Sequence, residues 1–206
     1  MNRTSKIERN TKETRISLEL TLDGQGTSEI DTGIPFMDHM LDLFSRHGFF
    51  DLKIQAKGDI QVDLHHTVED IGIVLGQAFK NALGSKAGIK RYGHIMLPMD
   101  EALVSCAVDI SGRSSFRLAG WENCRRNFKT QDGCPGSTPI DEEMVEEFFK
   151  SFAREAAISL HIIIHCGENL HHVIEAMFKA LGRTLDEATS MDARLKGQIP
   201  STKGSL

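Results

Sequence analysis

The sequence predicts an α/β protein of two-layer α+β type, made as a tandem duplication. Three observations carry that reading. The order strands, helix, strand, helix runs through residues 1–90 and repeats through 91–190, leaving 191–206 as a C-terminal arm. The motif His-His-x-x-Glu stands at 65–69 and again at 171–175, each time at the start of the last helix of its half. His39, on the first helix, precedes His65 by 26 residues, and Glu147, on the corresponding helix of the second half, precedes His171 by 24.

Each element follows from local pattern. TRISLELTL (14–22) alternates apolar and polar positions, and Asp23-Gly24-Gln25-Gly26 makes a turn before 27–33, so a hairpin is expected. Pro35 opens a helix whose Phe36, Met40, Leu43 and Phe44 recur at helical spacing, with Gly48 as its stop. Residues 49–64 read as strand, and a helix runs from His65 to Gly84. In the second half, 94–120 carries strands punctuated by Pro98, Asp100-Glu101 and Ser111-Gly112. A glycine- and proline-rich loop follows at 123–139. A helix from about 141 to 157 then aligns Val145, Phe148, Phe149 and Phe152 on one side. A strand at 158–166 and a helix from His171 to about Ala188 complete the half. The tail KGQIPSTKGSL lacks periodicity and reads as a flexible or partner-supported arm.

Composition narrows the function. A formal charge of -5 with a pI near 6.0 argues against a general nucleic-acid binder, which needs a basic face. No apolar run approaches the ~20 residues of a membrane span, and the charged first twenty residues contain no signal-peptide core. Cys106, Cys124, Cys134 and Cys166 show no CxxC spacing, which fits reduced thiols in the cytoplasm.

The doubled motif points to two metal ions. Neighbouring helical residues point about 100° apart, so His65 and His66 do not close on one ion, whereas residues three or four apart share a face. Each vicinal pair therefore splits between two ions. With His39 and Glu147 the donors are His39, His65, His66, Glu69, Glu147, His171, His172 and Glu175. Shared evenly, that is four ligands per ion, with two octahedral positions open to substrate. Imidazole and carboxylate without cysteine suit Mn, Fe, Co, Ni or Zn, and open six-coordination favours manganese or ferrous iron over structural zinc. His161 and His165, on an apolar strand, read as packed or rim histidines. A dinuclear phosphate-ester hydrolase and a metal-storage protein are the competing classes that such a donor set allows.

Four segments then carry a resemblance: DTGIPFMDHMLDLFSRHG (31–48), GDIQVDLHHTVEDIGIVLGQAF (58–79), RYGHIMLPMDEALVSCAVDISGR (91–113) and HCGENLHHVIEAMFKALGRTL (165–185). They resemble the imidazoleglycerol-phosphate dehydratase family. The resemblance implies two copies of a ribosomal-protein-S5-domain-2-like unit, each a sheet backed by two helices. It implies a homo-oligomer of 24 chains built from trimers, with active sites between subunits. It also implies two Mn(II) ions per active site and dehydration of a phosphorylated imidazole in histidine biosynthesis. In that pattern His39, His66, His171 and Glu175 hold one ion, and His65, Glu69, His172 and residue 147 the other. Many family members carry His where this chain has Glu147. Glu13 matches the family's substrate-binding glutamate and is the candidate acid/base. His39, His47, His65, Glu69, Arg91, Arg113, His171, Lys179, Ser201, Thr202 and Lys203 match substrate and phosphate positions, where guanidinium and ammonium groups suit a phosphate.

Overall fold

The structure is a computed structural model that describes residues 3–124 and 140–204; Cys134 and most of the predicted 123–139 loop lie outside the described residues. Its first half comprises β1 (Thr4–Asn10), β2 (Thr14–Thr21), β3 (Ser28–Asp31), α1 (Pro35–Gly48), β4 (Asp51–Gly58) and α2 (His65–Leu83). Its second half comprises β5 (Tyr92–Met99), β6 (Ala102–Asp109), β7 (Ser115–Ala119), α3 (Glu142–Ala156), β8 (Ser159–Cys166) and α4 (Leu170–Thr189). The sheets have strand orders β1-β2-β4-β3 and β5-β6-β8-β7, the same topology twice. In each, three strands run antiparallel and the last pairs parallel, Ser28 with Leu52 in one and Ser115 with Ser159 in the other.

The first sheet departs from the expected hairpin. Residues 14–21 pair with β1 and β4, and 28–31 cross to the far side of β4. β1 has no counterpart among the expected elements, because Ile7 is its one large apolar residue, between charged Lys6 and Glu8 that face solvent. The strand expected over 49–64 stops at Gly58, where a side chain would collide with Thr67 of α2. The helix expected to stop at Gly48 keeps that residue as its last turn. The left-handed cap is Phe49 (φ 54°), and Ala157 (φ 53°) caps α3 in the same way.

α1 and α2 lie on the first sheet and α3 and α4 on the second, and the two helical layers face each other. α1 packs on α4 and α2 on α3, so each helix pair joins the halves. Glycines allow close approach. A Cβ on Gly72 would stand 2.7 Å from the Phe148 carbonyl oxygen, and one on Gly182 would stand 2.6 Å from that of Phe44. Phe44, Phe79, Phe148, Phe149, Phe152 and Phe178 are almost fully buried between the layers. The arm is docked on the 84–91 connection. Ile89 bridges Met191, Gly88 N–H donates to the Gln198 carbonyl, and Arg91 Nη1 donates to that of Pro200 at 2.8 Å. No described helix is long and apolar enough to cross a membrane.

Candidate active site

The histidine motifs begin α2 and α4, and the two starts are built alike. Asp63 Oδ1 accepts the His65 N–H at 2.7 Å, and Asn169 Oδ1 accepts the His171 N–H at 2.9 Å. Each carboxamide or carboxylate satisfies a backbone donor that the helix leaves free and fixes where the first imidazole leaves the chain.

α1 and α4 bring three of the expected donors together. His39 Nε2 lies 3.4 Å from Glu175 Oε2, and His171 Nε2 lies 3.3 Å from the same oxygen. The two rings stand 5.6 Å apart between centroids, and Phe36 presents its edge to His171. Ligand atoms of His39, His171 and Glu175 all lie within 4.8 Å of one another. Two imidazoles and a carboxylate converging from opposite halves, with both rings partly open to solvent, fit a divalent ion. Glu175 is nearly buried, which raises its pKa. Lys179 Nζ, at 2.5 Å from Oε1, together with His39 outweighs burial and holds the carboxyl below its ordinary range.

The related set from α2 and α3 is looser. His65 Nε2 is 3.8 Å from Glu69 Oε2, and Glu69 lies 3.9 Å from Arg154 of α3. Glu147 is paired with Lys150 at 3.0 Å and lines an acidic cleft with Trp121, Glu142, Glu143 and Glu146. Within this chain Glu147 forms no close donor cluster with His65 and Glu69. The second imidazoles have partners of their own and lie outside the His39–His171–Glu175 group. His66 Nδ1 lies 3.1 Å from Asp59 Oδ2 and 4.0 Å from Glu13 Oε2. His172 Nδ1 lies 2.8 Å from Glu101 Oε2, with Asp100 Oδ2 3.9 Å from its Nε2. Asp100, Glu101 and His172 form the other group of close donors among the described residues. Burial raises the Glu101 pKa, but the His172 hydrogen bond and backbone N–H groups bring it down to about 2. Asp59 raises the pKa of His66.

Comparison with known proteins agrees with this frame. Residues 32–185 match the family model described as imidazoleglycerol-phosphate dehydratase. Over 206 residues, covering all of both chains, the sequence is 53% identical to the imidazoleglycerol-phosphate dehydratases of Lachnoclostridium phytofermentans and of Geobacillus sp. strain WCH70. The chain belongs to the imidazoleglycerol-phosphate dehydratase family. It is thereby a hydro-lyase. The crystal structure of the Staphylococcus aureus dehydratase superposes with a TM-score of 0.75 at 36% identity, over 92% of this chain and 99% of that one. The Pyrococcus furiosus enzyme in complex with (S)-C348 superposes with a TM-score of 0.78 at 36% identity, over 97% and 100%.

In this dehydratase the cations expected for phosphate fall into separate places. His47, at the end of α1, is half-buried beside Lys179 and Arg183; burial first, then those two cations, lower its pKa. Arg91 is held by Asp109 at 2.7 and 3.2 Å and by the Pro200 carbonyl, so it anchors the arm that carries Ser201, Thr202 and Lys203. Arg113 is exposed on the β6–β7 connection, its backbone tied to Ser111. Glu13 is exposed in the β1–β2 turn, beside His66. His161 and His165 are exposed on the outer face of the second sheet, and His165 Nε2 lies 2.6 Å from Ser105 Oγ.

Sequence reasoning missed Asp59, Glu101, Arg154 and Arg183. Arg183 had a signal: Glu175, Lys179 and Arg183 recur every fourth residue on one face of α4. Asp100-Glu101 carries only a turn signal between strands in the sequence. Among the described cysteines Cys106 and Cys124 are buried, and burial pushes the Cys106 thiol up to about 12, so it is an unreactive core group.

Proposed function

We propose that the chain catalyses manganese-dependent dehydration of D-erythro-imidazole-glycerol phosphate to imidazole-acetol phosphate, a step of histidine biosynthesis. In this reading it acts in the cytoplasm as a homo-oligomer of 24 chains built from trimers. The observation that carries the reading is the convergence of His39, His171 and Glu175, drawn from both halves, near the cations Lys179 and Arg183 and the imidazole of His47. One side of that region suits a metal bound to an imidazole substrate, and the adjoining side suits its phosphate.

His39, His171 and Glu175 would hold one ion with His66 as fourth donor, and His65, Glu69, His172 and Glu147 the other. Because His66 is not among the close donors around Glu175, and His172 not among those near Glu69, in their own chain, a neighbouring copy would complete each set. Divalent ions held by these residues would supply Lewis acidity for the dehydration.

The chain's own groups do the rest. Glu13, solvated and 4.0 Å from His66 Nδ1, stands where a substrate bound at His66 would meet it, and it moves the proton between substrate carbon and solvent. Lys179, Arg113 and the arm residues Ser201, Thr202 and Lys203 take the phosphate, and Arg91 holds the arm in place through the Pro200 carbonyl. His39, His65, Glu69 and His171 border the substrate as well as holding metal.

The test is metal analysis alongside a dehydration assay on imidazole-glycerol phosphate with and without manganese. The expected result is an enolisable imidazole ketone formed only with the metal. Release of inorganic phosphate in place of that product would identify a dinuclear hydrolase and overturn the proposal.

A further inference from the structure

We propose that Asp59 and Glu101 are positioning residues for the metal centre: each accepts the Nδ1–H of the second imidazole of its half, His66 or His172, and so presents Nε2 as the metal-facing nitrogen. The inference rests on the metal-binding reading above and adds residues that hold no ion themselves.

An ionised carboxylate can only accept a hydrogen bond. At 2.8 Å from Glu101 Oε2, His172 Nδ1 must therefore carry the proton, which leaves the lone pair on Nε2. Asp100 Oδ2, at 3.9 Å from Nε2, is beyond hydrogen-bond reach and does not compete for that nitrogen. His66 meets both oxygens of Asp59, at 3.1 and 3.3 Å, through the same nitrogen. Metal-binding imidazoles in general donate their other N–H to such a partner, which sets the tautomer and strengthens the donor.

Duplication alone does not produce this arrangement. Glu101 lies in the β5–β6 turn, whose counterpart is the β1–β2 turn that carries Glu13. Asp59 lies instead in the segment after β4. Both halves thus place a turn glutamate over the second imidazole, and only the second half uses it as the partner. In the first half Asp59 takes the Nδ1 contact, while Glu13 stands off at 4.0 Å and stays available to substrate.

Glu101 also gives a decisive substitution. Its Oε1 accepts the N–H groups of Asn169 at 2.8 Å and Glu168 at 3.2 Å. In Glu101→Gln those two donors fix the amide oxygen, so the amide NH2 meets His172 Nδ1 and forces the proton onto Nε2. Asp59→Asn can turn its oxygen toward His66 and should be milder.

The experiment uses the full chain. Mn2+ uptake is followed by the electron paramagnetic resonance of the free ion, and the histidine tautomers by nitrogen-15 spectra of metal-free protein, with His172→Ala locating the resonance. Expected results are an Nδ1-protonated His172 in the wild type, reversal in Glu101→Gln, and Mn2+ affinity lower by about 10–100-fold. Far-ultraviolet circular dichroism verifies that the variants fold, and Asp59→Asn supplies a second, softer variant. Asp100→Asn should bind Mn2+ like the wild type. A loss equal to that of Glu101→Gln would mean that Asp100, Glu101 and His172 chelate an ion themselves and would overturn the proposal. Failure of the wild type to bind Mn2+ would sink the metal reading and this inference together. Uptake unaltered in Glu101→Gln and Asp59→Asn would sink this inference alone.

Discussion

Gly182→Ala should loosen the His39–His171–Glu175 cluster from a distance. Gly182 of α4 faces the end of α1, and an added Cβ would sit 2.6 Å from the Phe44 carbonyl oxygen and 3.0 Å from the Gly48 nitrogen. Ordinary contact begins at 3.4 Å, so the helices must part by about 3.4 − 2.6 = 0.8 Å. Both opposing atoms are backbone and cannot rotate aside. Overpacking costs about 1–3 kcal/mol, here toward the upper end, and alanine returns about 1 kcal/mol of helix propensity. The net loss should be about 2 kcal/mol, read as a lower urea midpoint at unchanged slope. The same separation shifts His39 of α1 away from Glu175 and His171 of α4, where His39 Nε2 now lies 3.4 Å from Glu175 Oε2 and the two rings stand 5.6 Å apart. A ligand set tolerates about 0.5 Å of misplacement, so Mn2+ affinity should fall along with stability. Gly84→Ala is the control. Its φ of 58° with ψ -124° is a glycine conformation that strains alanine by about 1–3 kcal/mol, but no atom lies within 4 Å, so stability should drop with Mn2+ affinity intact. A Gly182→Ala protein matching the wild type in both measurements would refute the coupling of helix spacing to the triad.

Glu13→Gln should lower turnover by about 10²–10⁴-fold while Mn2+ content stays at the wild-type level; full activity would remove Glu13 from proton transfer. Lys179→Met should raise the substrate KM and move the His47 titration midpoint up toward 6.5, since Lys179 is the largest charge holding that pKa down after burial. The sign follows from linkage. Below about 6.5 the unfolded chain binds more protons at this site than the folded one, so the wild type loses stability as pH falls, and Lys179→Met should lose less. An unmoved midpoint in the NMR titration would show that Lys179 does not act on His47. Glu101 follows the same sign in a lower pH window. Its pKa falls from 4.5 to about 2 on folding, so its contribution is complete above 4.5 and vanishes as pH drops through about 2. The stability gap between wild type and Glu101→Gln should close over that interval, and a gap independent of pH would mean that charge plays no part in it.

What the sequence made legible was periodic or repeated. α1, α2, α3 and α4 were readable from apolar residues three and four apart, and the donors from a motif that occurs twice. Strand partners were less legible because turn chemistry is local whereas pairing is not. Asp23 to Gly26 marks a turn, yet β3 can find its parallel partner only after α1 brings β4 beside it. β1 carries a single strong inward residue, Ile7, too little for a period-two signal. In the site, His65 and Glu69 share a face by spacing alone. Glu101 and His172 are 71 residues apart, and Glu168 and Asn169 must fold against the β5–β6 turn before the pair exists. His66 and Asp59 are only seven apart, but that separation lies in the connection between β4 and α2, where helical spacing gives no guidance.

The two halves share a frame and differ in charge, and that difference is testable. On the α1–α4 side the donors are two imidazoles and one carboxylate, His39, His171 and Glu175. The matching residues on α3 and α2 are Glu147, His65 and Glu69, one imidazole and two carboxylates. Cations offset the added charge: Lys150 lies 3.0 Å from Glu147 and Arg154 lies 3.9 Å from Glu69. An oxygen-rich set favours harder ions such as manganese, and exchanging oxygen for imidazole favours nickel and zinc. If the proposed second ion binds at this set, Glu147→His should therefore raise its preference for zinc over manganese and leave the His39 set unaltered. Freeing Lys150 should cost little, because exposed ion pairs contribute about 0–1 kcal/mol. Competition between Mn2+ and Zn2+, with bound metal counted per chain, measures the shift. If the ratio stays at its wild-type value, Glu147 only lines the acidic cleft beside Trp121, and the second ion must draw its ligands from elsewhere.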